Sequence, residues 1–228
     1  MKSVVIIPAF NEEQSIQLVI SEIPKHLVDE IIVINNNSTD NTAEVAEKSG
    51  AKVLFEAYKG YGAACLQGIE YLKIKSVDVV VFLDGDHSDY PEEMEKLLQP
   101  IIDDEADFVL GSRVLGKSEK GALLIQSRVG SIIAGFLIKK FWKVKYTDLG
   151  PFRAIKFDEL IALNMKDNWF GWTVEMQIKA AKHKLRIIEV PVSYRKRIGK
   201  SKVTGTIKGT ILASIIILKT IFVELFKK

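Results

Sequence analysis

The sequence predicts an α/β protein with a mostly parallel sheet flanked by helices. Three observations lead there. Short runs rich in Val and Ile alternate with helical stretches along the first half of the chain, the signature of a parallel sheet covered on both faces. The run Val79 to Leu83 is apolar without interruption, as a strand buried on both faces is. Polar clusters close each run, and a parallel sheet gathers such strand ends at one rim, where ligands bind.

Each element has its own signal. Ser3 to Ile7 is an apolar strand ending at Pro8-Ala9-Phe10-Asn11-Glu12; Asn11 suits an N-cap for a helix running to Ile23, before Pro24. Glu30 to Ile34 is a second strand, breaking into Asn35-Asn36-Asn37. Thr39 or Asp40 caps a helix through Lys48, closed by Gly50. Lys52 to Phe55 is a strand, Lys59-Gly60-Tyr61-Gly62 opens a helix to about Ile74, and residues 78–83 form the fourth strand. A helix over 91–102 and a strand over 107–110 follow. Further on come a helix from Val129 to Trp142, a helix from Gly171 to Lys184 and a strand from Leu185 to Tyr194. A long helix spans Thr204 to Lys228.

Composition narrows the function. The chain has 228 residues, of which 47% are hydrophobic, enough for a sizeable core and too many for disorder. A net charge of +3 gives no case for nucleic acid as a partner. Cys65 is alone, which suits a reducing compartment. The apolar run at the amino terminus is short for a signal peptide and meets Pro8 at once. Together these features point to a cytoplasmic location.

Three motifs compete for the chemistry. Gly60-Tyr61-Gly62 is a fragment of a dinucleotide fingerprint, with Cys65 where a Gly belongs. Gly111 to Ser118 fits the phosphate-loop pattern GxxxxGK[ST] and would make a nucleoside triphosphatase, yet Gly121 follows where a helix is needed. The third is the acidic strand end Asp84-Gly85-Asp86. Two carboxylates so placed repel each other, and a divalent cation that favours oxygen, Mg²⁺ or Mn²⁺, removes the repulsion. Gly85 lets the backbone bend and a bulky ligand approach. Pro8, Asn11, Glu12, Asn36 and Asp40 fall at the same rim, which has room for a base, a ribose and a metal-bound diphosphate.

With these residues the chain resembles the family 2 glycosyltransferases of GT-A fold, and most closely the dolichol-phosphate and polyprenol-phosphate sugar synthases. The resemblance is carried by VVIIPAFNEE, IIVINNNSTDNT, LDGDHSDYPE, VLGSR, TDLGPFRA and EVPVSYRKRIGKSK, in the family's order across residues 3–202. It implies a glycosyltransferase domain over 1–203 and a C-terminal amphipathic or interfacial helix over 204–228. It implies an inverting, metal-dependent transfer from a nucleotide sugar to a polyprenyl or dolichyl phosphate. Asp86 would bind the metal, and Asp84 would lie against the nucleoside. Pro8, Ala9, Asn11, Glu12, Asn36, Lys59 and Gly85, with Arg197 and Lys202 of the basic loop 195–202, would hold the donor. Arg113 and Arg128 would grip the acceptor phosphate, as Arg suits bidentate phosphate binding.

The chain departs from the family at Asn35-Asn36-Asn37, where Asp-Asp-Gly is usual, at Ser88, where some synthases have Gln, and at Lys184, where Gly is commoner. An Asn carbonyl accepts from the imino N–H of uracil, which favours a UDP-sugar over a guanosine donor. A lipid phosphate needs no strong general base. A hydroxyl acceptor does, and Asp148 or Glu175 would then be that base. The stretches Val129–Trp142 and Thr204–Lys228 combine an apolar face with lysines, as interfacial helices do, so a membrane surface is an expected partner. Lys219 interrupts the second stretch, which argues against a spanning helix. A homo-oligomer stays open.

Overall fold

The computed structural model describes residues 1–199 and 207–227. Lys202, Lys228 and the first residues of the expected C-terminal helix, 204–206, lie outside the described residues. The first half is built as the alternation predicts: β1 (Ser3–Ala9), α1 (Ile16–Glu22), β2 (Glu30–Asn35), α2 (Thr42–Lys48), β3 (Lys52–Phe55), α3 (Tyr61–Leu72), β4 (Val79–Phe82), a 3₁₀ turn at Pro91–Glu93, α4 (Met94–Ile102) and β5 (Phe108–Ser112). The second half holds α5 (Ile125–Trp142), β6 (Arg153–Lys156), α6 (Phe157–Ala162), α7 (Trp172–Lys182), β7 (Ile187–Pro191) and α8 (Ile207–Phe226).

Among the described residues seven strands form one sheet in the order β3-β2-β1-β4-β6-β5-β7. β6 is antiparallel to both of its neighbours, and the other pairs are parallel. The sequence reading contains no strand at β6. Its four residues carry Arg153 and Lys156 beside Ala154 and Ile155, too short and too charged to show the apolar run of a central strand.

Alternate side chains of the central strands feed two cores, as the two-residue strand period requires. Val4, Ile6, Ile32, Ile34, Val80 and Phe82 pack under α3, α6 and α7; Val5, Ile7, Val33, Val79 and Val81 pack under α1 and α4. Val79 to Leu83 is buried throughout, so β4 is the central strand its composition announces. From β1 the chain moves outward through β2 and β3, then returns to place β4 on the other side of β1. The crevice between the carboxyl ends of β1 and β4 is therefore the topological switch point of the sheet.

α8 lies along the domain. It packs against α5 and α7, burying Ala213 and Ile221, and Lys182 of α7 donates to the Glu224 carbonyl at 3.0 Å. Only 17% of the window Gly209–Phe226 is buried, which sets aside a core role; by length and composition that window is long and apolar enough to cross a membrane.

Candidate active site

The loops at the switch point are held by their own side chains. Asn11 takes a left-handed conformation, φ 55°, and pins two loops together: its N–H donates to Ser38 Oγ at 3.0 Å, and its Oδ1 accepts from Thr39 N at 2.8 Å. It does not cap α1, which begins at Ile16, and it is absent from the cavity wall. Asn36 is buried and ties the following loop: its Nδ2 donates to the Tyr58 carbonyl at 2.7 Å, and its Oδ1 accepts from Gly60 N at 2.8 Å. One lone pair of Asn36 Oδ1 is thus already used by the backbone.

Two chambers meet above Asp84. The first, about 290 Å³, is lined by Pro8, Ala9, Phe10, Glu12, Asn36, Lys59, Gly60, Gly85 and Asp86, with Trp169 across from them. Of the residues expected to hold a donor, all but Asn11 and the undescribed Lys202 line it. Lys59 Nζ sits 5.0 Å from the Phe10 ring, a cation–π contact. The second chamber, about 410 Å³, runs between the start of α5 and α8. Its walls include Leu123, Leu124, Leu149, Pro151, Ala213 and Ile217, with Arg113 and Lys196 supplying charge. Tyr61, Asp84, Phe170 and Arg197 line both chambers and form their junction.

Burial and the neighbouring Asp86 carboxylate raise Asp84 to about 7, while Arg197 and Arg113 pull it back. Burial, with Asp84 adding, also drives Asp89 well above the usual carboxylate range. Asp84 Oδ1 and both carboxylate oxygens of Asp89 have no hydrogen-bond partner among the described residues. Asp86 Oδ1 accepts from Ser88 N at 3.0 Å and Ser88 Oγ at 2.5 Å, and its Oδ2 faces Arg197 Nη1 at 2.7 Å. Anionic oxygens at Asp84 and Asp86 fit Mg²⁺ or Mn²⁺. Among the described residues no group of three or more Asp, Glu, His or Cys is arranged to hold a metal. A diphosphate and water would have to complete the shell, as is usual for Mg²⁺.

The two candidate bases are engaged by partners within the fold. Asp148 accepts from Arg113 Nε at 2.7 Å and Nη2 at 2.8 Å, and from Ser131 Oγ at 3.1 Å. The Arg113 guanidinium outweighs burial and holds Asp148 down at about 2, so it takes up no proton near neutrality. Glu175 is buried, accepts from Lys166 N at 3.0 Å and Asp167 N at 2.8 Å, and pairs with Lys179 at 2.8 Å. It lines neither chamber and instead anchors the 166–167 turn. Arg113 does face the second chamber, but Asp148 occupies its guanidinium fork. Arg128 is exposed on α5, next to Gln126 and Ser127, which line the second chamber. The phosphate-loop reading fails. Gly111 belongs to β5, and a Cβ at Gly116 would lie 1.9 Å from the Val192 carbonyl oxygen. α5 starts only at Ile125.

Sequence reasoning missed Phe10, Tyr61, Trp169 and Phe170. Trp169 and Phe170 stand in a loop after Asp167-Asn168, where no periodicity marks a pair of aromatics as functional. The Gly60-Tyr61-Gly62 spacing has a structural cause. A Cβ at Gly60 would lie 2.1 Å from the Asn168 carbonyl oxygen, and one at Gly62 would lie 2.0 Å from that of Asp167. The two glycines let loop 167–169 press on the start of α3, where Gly62 N and Ala63 N donate to the Trp169 and Asn168 carbonyls.

The seven-stranded, mostly parallel sheet flanked by helices, with an acidic pair at its switch point, has the GT-A architecture. The chain belongs to glycosyl transferase family 2, which it matches over residues 4–161, and it is a glycosyltransferase. It is 33% identical over 212 residues to an uncharacterized glycosyltransferase of Mycobacterium tuberculosis, a match covering 92% of this chain and 93% of that one. It is 29% identical over 208 residues to the UDP-N-acetylglucosamine–dolichyl-phosphate N-acetylglucosaminyltransferase of Methanococcus voltae, covering 82% and 83%. Among solved structures it resembles glucosyl-3-phosphoglycerate synthase of M. tuberculosis, crystallised with Mn²⁺, UDP and glucosyl-3-phosphoglycerate. The TM-score is 0.76 over 98% of this chain and 80% of that one, at 22% identity, a likeness of fold.

Proposed function

We propose that the protein transfers a sugar, with inversion, from a UDP-sugar to a polyprenyl or dolichyl phosphate. The observation that carries this reading is the second chamber: apolar walls leading to cationic side chains, joined at Asp84 to a polar first chamber. Such a chamber suits an anionic headgroup on an apolar chain. The relative whose name gives a UDP donor and a dolichyl phosphate acceptor supports both ends of the reaction.

In this reading Pro8, Ala9, Asn36 and Lys59 hold the nucleoside, and Arg197 meets the diphosphate. Asp86, with Asp84, would hold Mg²⁺ or Mn²⁺, which when bound offsets charge on the leaving nucleoside diphosphate. Phe170 and Tyr61 exclude water from the junction. Arg113 and Lys196 attract the acceptor phosphate, which is already ionised and needs no base. The engagement of Asp148 and Glu175 elsewhere in the fold agrees with that economy. A hydroxyl acceptor is the second reading, favoured by the Asp84 carboxylate, which lines both chambers.

The acceptor lies in a bilayer, so the protein must reach one. Ile125, Val129, Ile132, Ile133 and Phe136 are exposed along α5, and Ile211, Ile215, Leu218, Phe222 and Phe226 along α8. Lys139 and Lys140 stand at the end of α5, which has no acidic residue. This composition suits peripheral binding to an anionic membrane. Calorimetric titration tests the donor half: with Mn²⁺, UDP should bind more tightly than GDP, and Asp86→Asn should lose metal-dependent binding. A GDP preference, or undiminished binding in the variant, counts against it.

A further inference from the structure

Both carboxylate oxygens of Asp86 are taken. Oδ1 is held by Ser88, and Oδ2 by Arg197 Nη1 at 2.7 Å. The segment carrying Arg197 is fastened alongside residues 86–89. Arg195 N donates to the Ser88 carbonyl and Ile198 N to the Asp86 carbonyl, each at 2.9 Å. Arg195 Nε donates to the His87 carbonyl at 2.8 Å. These bonds involve the neighbours of Arg197 and not its guanidinium, so the side chain can leave Asp86 while the backbone stays.

A guanidinium and a divalent cation cannot occupy Oδ2 together. The cation brings more charge in less space, but it must first displace an ion pair whose Asp86 side is buried. Arg197 lines both chambers, so the displaced guanidinium has volume on either side of the junction. A planar fork of N–H donors released there matches phosphate oxygens.

We propose that Arg197 is a positioning residue that neutralises Asp86 in the donor-free protein and passes to the donor diphosphate when metal and donor enter. The proposal rests on the donor reading above. Its consequence is cooperative binding. Metal alone must break the Arg197–Asp86 pair without recompense, whereas metal with diphosphate gives Arg197 a new partner, and the coupling between the two ligands is reciprocal.

The experiment is Mn²⁺ binding, by calorimetry or by the electron paramagnetic resonance of free Mn²⁺, with and without UDP. It compares the full-length protein with Arg197→Gln, Arg197→Met and Arg197→Lys, each checked for its unfolding midpoint. The neutral variants should bind Mn²⁺ alone about tenfold more tightly, the scale on which a nearby opposite charge acts on a carboxylate. The increase in Mn²⁺ affinity on adding UDP should shrink by a similar factor. Arg197→Lys, which keeps the charge, should stay within about threefold of the parent, less than one decade on the same scale. Folded neutral variants that bind Mn²⁺ no more tightly than the parent, or a Lys variant that tightens as they do, overturn the proposal while leaving the donor reading intact. No Mn²⁺ binding by any form, with or without UDP, overturns both.

Discussion

At Asp84, burial and the Asp86 carboxylate set the pKa near 7, against 3.8 for an ordinary aspartate. The folded protein therefore keeps a proton that the unfolded chain gives up between pH 4 and 7. Stability falls as pH rises through that window, by ~4 kcal/mol at most. Asp84→Asn should raise the unfolding midpoint of the metal-free protein at pH 8, leave it nearly unchanged at pH 4, and remove metal-dependent UDP binding. Urea titrations at the two pH values check this. Asp148 has the opposite sign. Its pKa lies below the unfolded value, so its contribution is complete above pH 4 and is lost as pH falls toward 2, about 2 kcal/mol in all. Asp148→Ala would leave Arg113 buried without its partner and should cost on the order of 3–5 kcal/mol in chemical denaturation. The acid pair was legible in the sequence because two carboxylates at the end of an apolar strand are chemically conspicuous. Asp148 was legible as a charged residue but not as the partner of Arg113, a pairing that only the tertiary fold brings about.

Among the elements, the loop 167–170 and the start of α3 act together. Glu175 holds the turn at residues 166 and 167, the backbone of 167–169 lies against Gly60 and Gly62, and Trp169 Nε1 donates to Tyr58 Oη at 3.3 Å. Gly62→Ala should push that loop away, destabilise the fold by about 1–3 kcal/mol, as overpacking does, and weaken UDP binding. Ala at Gly130, where a Cβ meets nothing within 4 Å, is the control and should do neither. Elements with a continuous apolar run or clear helical spacing were legible: β1, β2, β4, α3, α5 and α7. The antiparallel β6 was not, because its partners come from β4 and β5 and its own four residues carry no period. The glycines of residues 60–62 looked like ligand chemistry, and packing turned out to be their cause.

For the whole molecule, the two chambers, the apolar stripes on α5 and α8 and the lysines beside them make one arrangement. Through Ala213, Ile221 and the Lys182–Glu224 pair α8 packs on the domain, and the proposed peripheral binding has it rest on a bilayer. The protein should sediment with anionic liposomes at low salt and be released as ionic strength rises, since screening weakens surface attraction. Retention until detergent is added would instead mark α8 as inserted. The central claim concerns the acceptor, and one measurement reaches it directly. Purified protein is incubated with Mn²⁺, a panel of radiolabelled UDP-sugars and a polyprenyl phosphate in detergent, beside a polyprenol of the same length and the Asp86→Asn variant. The account predicts labelled lipid from the phosphate alone and none from the variant. Label on the polyprenol, or equal label with Asp86→Asn, would contradict it.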